Sequence, residues 1–355
     1  MHRNQPFSET RYYCTLVLDV NLAKKSEDSK TAGTKDVNTK RLSAPEDFAS
    51  AKRIAIANIP QGVTSFGGAI ANDKIFIYGG HTGRPHSYYE SGQNDKLYEI
   101  DLANPSEWRV AGEGPGLQGL AMVAHQNKLY RLGGFHAHNK EGEKHDLRSV
   151  KDFAVFDASS KSWTQLEPMP HGRSSFDAVV LKGVIYVVGG WEMKGKNGTQ
   201  WCETALSFDL NAKNSKWQKL PNPSFKRRAL SVGFQENKLI AVGGMQKEGG
   251  PTKKVGIYDL STKVWTDGPE LPGEGRMEGF GTSCFNVGGE LIVSTYGGNI
   301  CKLNSDFSKW EIIFTCDEGR FFHQLLPLNE NDFVLVGGAS MESGKFYNVE
   351  VHSKK

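Results

Sequence analysis

A short apolar strand that ends on two consecutive glycines recurs six times, and it limits what the chain can fold into more than any other feature. Its plainest copy is Gly183-Val184-Ile185-Tyr186-Val187-Val188-Gly189-Gly190. The glycine pairs are Gly79-Gly80, Gly133-Gly134, Gly189-Gly190, Gly243-Gly244, Gly297-Gly298 and Gly337-Gly338, spaced by 54, 56, 54, 54 and 40 residues. A unit of this size, with one strand and one turn signal in register, belongs to a radial or solenoidal repeat rather than to a domain with a single core.

Each unit reads as four short strands. In the third, alternation predicts strands over 174–181, 184–190, 205–209 and 217–220. The turn between the first two strands is short and polar throughout: Asn72-Asp73, Gln126-Asn127, Lys182-Gly183, Glu236-Asn237, Gly288-Gly289 and Glu330-Asn331. Asn, Asp and Gly tolerate the positive φ of tight hairpins, and every copy contains one of them. Farther on, an acid and a tryptophan stand in register: Asp101 with Trp108, Asp157 with Trp163, Asp209 with Trp217 and Asp259 with Trp265, while a fifth copy has Asn304 with Trp310.

Double glycine, an aromatic-Asp step such as Phe208-Asp209 or Tyr258-Asp259, and a downstream tryptophan, in a unit of about 50 residues, resemble kelch repeats. The resemblance runs from Lys52 to the end of the chain. It implies an all-β fold, a six-bladed β-propeller of four-stranded antiparallel blades with the first strand of each innermost around a channel. The repeat aromatics then pack between blades. The last repeat lacks a fourth strand, whereas 53–58, followed by Pro60, has that strand's pattern. These residues are therefore expected to pair with 347–351 and close the ring. Residues 1–50 are polar and poor in aromatics, so a disordered lead is expected before a propeller spanning 51–355.

The charge is balanced and well mixed, 43 basic against 40 acidic residues, which gives no electrostatic reason for nucleic acid or membrane surfaces as partners. No apolar run reaches the roughly 20 residues of a membrane helix. The apolar stretch 12–18 is too short for an export signal and is cut by Asp19. A cytoplasmic location is the default expectation, secreted or periplasmic if the true start lies upstream. Cys14, Cys202, Cys284, Cys301 and Cys316 form no Cys-x-x-Cys spacing and fit neither a disulfide framework nor a zinc motif, though a bridge among the last three, such as Cys301 with Cys316, stays open. Gly114-Pro115-Gly116-Leu117-Gln118-Gly119 spells a dinucleotide fingerprint but precedes a strand, so it is set aside. His136-x-His138 with His145 matches no established metal spacing. No cofactor or metal is expected.

Function is expected on the face that carries the loops after the glycine pairs, which are long in the first three units and nearly absent in the fifth. Their aromatic, imidazole and guanidinium groups make His86, Tyr89, Phe135, His136, Trp191 and Trp201 candidates for gripping a sugar or peptide. Before the first strand, Arg173, Arg228 (or its neighbour Arg227), Arg276 and Arg320 stand at similar distances from the glycine pairs. They either serve the scaffold by bonding loop carbonyls or converge on the mouth as carboxylate binders. Glu278 and His323 are the acid-base candidates. Two functions follow from the resemblance. One is a non-enzymatic module that binds a protein segment or a glycan. The other is a carbohydrate-active enzyme similar to the bacterial sialic-acid mutarotases. Copper oxidases related to galactose oxidase are disfavoured, because no Tyr-His pair occurs. Oligomeric state stays open.

Overall fold

The computed structural model describes residues 55–158 and 160–354; the polar segment 1–50, and Arg53 and Ile54 of the expected closing strand, lie outside them. Among the described residues the fold is antiparallel β, with three 3-10 turns and no α-helix. Five four-stranded sheets and one three-stranded sheet follow each other along the chain, with a small three-stranded sheet and three two-stranded ribbons beside them. Their first strands are Gly67–Ala71, Ala121–His125, Asp177–Leu181, Ser231–Gln235, Ser283–Val287 and Gln324–Pro327. Each pairs with the second strand of its unit, as in Asp177↔Val188; that strand runs straight into the glycine pair in every sheet but the fifth, where it ends at Ser294 and Thr295 and Tyr296 precede Gly297.

The tight hairpins are where the polar turns predict them. Both residues have positive φ at Asn72-Asp73, Gln126-Asn127, Lys182-Gly183 and Gly288-Gly289. The last turn works differently: Asn329 Oδ1 accepts the N–H groups of Asn331 and Asp332, both at 2.8 Å. At Gly189-Gly190 the φ values are 76° and 90°, and added Cβ atoms would come within 2.7 Å of the carbonyl oxygens of Arg227 and Ser174. A side chain there is excluded both by conformation and by the close backbone of Arg227 and Ser174.

The core lies between sheets, not within one. Six apolar clusters each join a sheet to its neighbour; one unites Leu132 and Phe153 with Ile185 and Phe208, and another unites Ile75 and Ile100 of the first sheet with Leu326 and Val336 of the last. Four repeat tryptophans lie across these seams and donate Nε1–H to a carbonyl of the preceding segment: Trp108 to Ala57 at 2.8 Å, and Trp217 to Glu167, Trp265 to Pro221 and Trp310 to Pro269, each at 2.9 Å. Trp163 instead packs against Tyr78 and Phe156 and lies under the guanidinium of Arg131, 5.1 Å from its carbon.

A belt of backbone hydrogen bonds joins the sheets at their inner ends. Ser65, Gly119, Ser175, Ala229, Gly281 and Phe322, one before each first strand, all have φ between 51° and 61°. Each N–H donates to the carbonyl of the one before: Gly119 to Ser65 at 2.7 Å, Ser175 to Gly119 and Ala229 to Ser175 at 2.8 Å, Gly281 to Ala229 at 3.2 Å, Phe322 to Gly281 at 2.9 Å, and Ser65 to Phe322 at 3.2 Å. The left-handed turn costs a non-glycine residue roughly 1–2 kcal/mol, which a hydrogen bond of about 1 kcal/mol in each link offsets in part.

The stretch before the first sheet does not form the expected ladder. Ile59 donates its N–H to Tyr347 O at 2.8 Å, but Ala57 is engaged on the other side, donating to Pro105 O at 2.9 Å and accepting from Trp108. With Ile56 and Ile59 both buried, residues 55–60 are a strap packed across the seam between the first and last sheets. The last sheet has three strands among the described residues.

Candidate functional site

The loops that follow the glycine pairs in the first three sheets pack into one layer at the end of the channel. Tyr88 is central to the first junction: its ring lies 5.0 Å from His81, 5.9 Å from Phe135 and 5.6 Å from His145. Asn139 donates to Tyr88 O at 2.8 Å, and Gln93 accepts from Ala137 N at 2.7 Å. The second junction runs through Ser149 Oγ, 2.8 Å from Ser174 Oγ and accepting from Met193 N at 2.9 Å. Phe135 is thus buried and frames the layer. His136 is half-buried, 5.7 Å from His138, and burial lowers its pKa. His86 is exposed at a left-handed backbone position, and Tyr89 is half-buried beside Gly83 and Gly92.

Trp191 and Trp201 face each other on the ribbon Trp191–Met193/Thr199–Trp201, with rings edge to face at 5.8 Å. The guanidinium of Arg228 lies 4.0 Å from the Trp191 ring and 5.8 Å from Trp201, so these three residues form one half-buried group. A cation this close to an indole ring is attracted by the ring quadrupole. Arg276 is exposed and donates to Gly249 O at 2.7 Å.

Arg173 and Arg320 are placed differently. Arg173, 1% exposed, donates through Nη1 to Gly189 O and Thr204 O, both at 2.9 Å, and through Nη2 to Thr204 Oγ1 at 2.8 Å. Arg227 repeats this with Gly243 O at 2.8 Å and Lys254 O, and Arg320 with Gly337 O and Asn348 O, both at 3.3 Å, plus the Glu350 carboxylate. In each case one guanidinium ties the first glycine carbonyl to the start of the third strand. The counterpart in the fifth sheet is Glu278, not Arg276. Its carboxylate accepts from Thr295 Oγ1 at 2.7 Å and from Gly297 N at 3.2 Å, so an acceptor takes the donor's place where the glycine presents N–H. In the first sheet Asn94 Nδ2 donates to Gly79 O at 3.1 Å.

His323 lines the channel with Asp177, Thr282, Ser283 and Gln324. It is buried with no hydrogen-bond partner on either ring nitrogen among the described residues, and burial, aided by Arg320, lowers its pKa to about 3, so the ring is neutral. The belt and these side chains leave a cavity of about 70 Å³. Asp177 escaped sequence reading. Its carboxylate accepts from Val232 N at 2.7 Å and from Ala178 N at 2.8 Å, and burial raises its pKa to about 7. Also missed were four half-buried aromatics where the loops are short. Tyr296 stacks on Phe321 at 5.7 Å, and Phe280 meets Phe321 and Phe322 at 6.0 and 5.1 Å. The Phe321-Phe322 doublet beside Arg320 is the one signal in the sequence that could have found them.

Residues 49–232 match the KLHDC2/KLHL20/DRC7 Kelch-repeats domain, and residues 226–272 match the Kelch motif. The chain belongs to the kelch-repeat family. Among curated kelch proteins it is 26% identical to mouse Kelch-like protein 35 over 204 residues, 58% of this chain and 30% of that protein. It is 31% identical to human Kelch-like protein 23 over 180 residues, 50% of this chain and 28% of that protein. N-acetylneuraminate epimerase of Pasteurella multocida strain Pm70 is 25% identical over 249 residues, 61% of this chain and 62% of the enzyme. The chain therefore spans less than a third of these two Kelch-like proteins. The structure of YjhT superposes with a TM-score of 0.67 at 17% identity, covering 84% of this chain and 99% of YjhT, which supports a kelch β-propeller fold. Among the described residues no helix is long and apolar enough to cross a membrane, and Cys202, Cys284, Cys301 and Cys316 are free thiols.

Proposed function

We propose that this kelch chain is a six-bladed ring over 51–355 that binds a segment of another protein, or a glycan, across its loop face. The belt through Ser65, Gly119, Ser175, Ala229, Gly281 and Phe322 and the seam that joins the last sheet to the first support the ring. One observation carries the binding role: two half-buried aromatic groups adjoin the belt, Trp191, Trp201 and Arg228 beside Ser174 and Ala229, and Phe280, Tyr296, Phe321 and Phe322 about Gly281. Aromatic rings and arginine dominate the energetics of protein recognition and lose little entropy when a ligand covers them. The cavity below, about 70 Å³, is well under the roughly 300 Å³ of a small-molecule pocket, so a ligand lies across the mouth rather than in the channel. Trp191, Trp201, Arg228, Arg276, His86 and Tyr89 make the contacts, while Phe135, His136, Arg173 and Arg320 hold the loops that carry them.

The test is a peptide-display library and a glycan array, followed by tryptophan fluorescence titration of any ligand recovered. Trp201→Ala and Phe321→Ala are each expected to weaken binding by about tenfold or more, the loss of one aromatic anchor. Failure of both panels to yield a ligand, or unchanged affinity in both variants, rejects the reading.

Similarity to N-acetylneuraminate epimerase favours a second reading, an enzyme that interconverts forms of an acidic sugar. Arg228 and Arg276 would then hold the carboxylate, and Glu278 and His323 would move protons, which requires Glu278 to exchange its bonds to Thr295 and Gly297. Anomeric exchange of N-acetylneuraminate followed by NMR decides it: exchange faster than in buffer, lost in Glu278→Gln, establishes the enzyme, and exchange at the buffer rate excludes it.

A further inference from the structure

Cys316, Glu350 and His352 meet between the fifth and last sheets, with one donor atom of each within 4.8 Å of the others. Cys316 directly follows the strand Trp310–Thr315, and Glu350 and His352 are alternate residues of Val349–Ser353, so both project from one face of that strand. We propose that these three residues bind a zinc-class divalent ion, with water in the fourth position.

The donor set is mixed, one thiolate, one imidazole and one carboxylate, which is what a borderline-soft ion such as Zn²⁺ takes. Geometry supports it. His352 Nε2 lies 3.3 Å from Glu350 Oε2. Two ligands at about 2.0–2.1 Å from a tetrahedral ion are separated by about 3.3–3.4 Å, so these two atoms already hold a ligand-to-ligand spacing. The supporting residues fit as well. Arg320 Nη2 and Asn348 Nδ2 both donate to Glu350 Oε1, the latter at 2.9 Å, which leaves Oε2 directed at His352. An outer pair of donors that orients a carboxylate and frees one oxygen is the usual arrangement around a metal ligand. The imidazole is held between rings, 5.6 Å from Phe333 and 5.1 Å from Phe314. Thiolate, carboxylate, Arg320 and a dication sum to a single positive charge, so the guanidinium does not forbid the ion.

All three ligands are half-buried, so an ion and its water reach them from solvent. Bound there, the ion fastens the last strand of the chain to the fifth sheet. This role stands apart from ligand binding at the mouth.

Cobalt provides the probe. In the Cys14→Ser/Cys202→Ser background, one equivalent of Co²⁺ is expected to produce a near-ultraviolet thiolate-to-cobalt charge-transfer band together with tetrahedral d–d absorption, and Zn²⁺ should displace both. Cys316→Ser should abolish the charge-transfer band, and His352→Gln and Glu350→Gln should each weaken zinc binding. Asn348→Ala, which removes one orienting donor, should weaken it by about tenfold. Zinc should raise the melting midpoint of the parent and not that of Cys316→Ser, as mass action requires of a ligand that binds only the folded chain. Circular dichroism of each variant separates loss of a ligand from loss of the fold, and His352→Gln serves if Cys316→Ser does not fold. No charge-transfer band, or a band that survives Cys316→Ser, or zinc affinity unchanged in both His352→Gln and Glu350→Gln, overturns the site and leaves the cluster an ion-paired network.

Discussion

At the scale of single residues, Arg173, Arg227 and Arg320 illustrate how a charged group becomes scaffold. Each is 2% exposed or less, and each donates to two backbone carbonyls, that of the first glycine and one at the start of the third strand. For Arg173, removing the donor takes away the bonds to the Gly189 and Thr204 carbonyls, a penalty of about 1–3 kcal/mol for each. Arg173→Ala is therefore expected to lower unfolding free energy in urea by about 3 kcal/mol, and Arg173→Lys, without the planar fork, to recover only part of it. A loss under about 0.5 kcal/mol would mean that the loops satisfy the carbonyls in another way. Arg228, next in sequence to Arg227, turns to the indoles of Trp191 and Trp201 instead. The repeat spacing marked out these arginines as a class but did not divide scaffold from surface. Register does that, because the residue bonded to the first glycine belongs to the scaffold, whether Arg173 or Glu278.

At the scale of elements, the first strands are joined by side chains as well as by the belt. Asp177 accepts from Val232 N, Ser283 accepts from Leu325 N at 2.8 Å, and Gln324 donates to Phe66 O at 2.8 Å. Asp177 is the member that titrates. In the folded chain its pKa is about 7, against about 3.9 for an unfolded aspartate, so the folded state binds the extra proton between these values. Stability from this group is therefore greatest at about pH 4 and falls as the pH rises to about 7, by a few kcal/mol. Urea unfolding at about pH 5 and about pH 8 should give a lower stability at the higher pH, with a smaller difference in Asp177→Asn. The same slope in the variant would rule out Asp177 as its source. The hairpin turns were readable because positive φ selects residue types locally. The Asp177 contact was not, because Val232 is 55 residues away and only the packing of adjacent sheets brings them together.

At the scale of the whole molecule, the strap at 55–60 and the belt hold the first sheet to the last. Ile56 and Ile59 are buried in the seam that contains Trp108 and Leu326. A chain beginning at Val63 is expected to lose about 4 kcal/mol, the burial of two isoleucines at roughly 1.5–3 kcal/mol each, and to melt lower than the full chain. Equal melting temperatures would show that the strap adds nothing to stability. The sequence by itself determined the repeat, the strand order within a unit, the hairpin turns and the tryptophans between sheets, because each follows from local conformational preference or from a spacing that recurs. Tertiary structure alone decided which arginines are buried, which aromatics gather beside the belt, how the strap packs across the seam, and that Cys316 meets Glu350 and His352. Each of these depends on contacts between segments far apart in the chain, which only the arrangement of one sheet against the next creates.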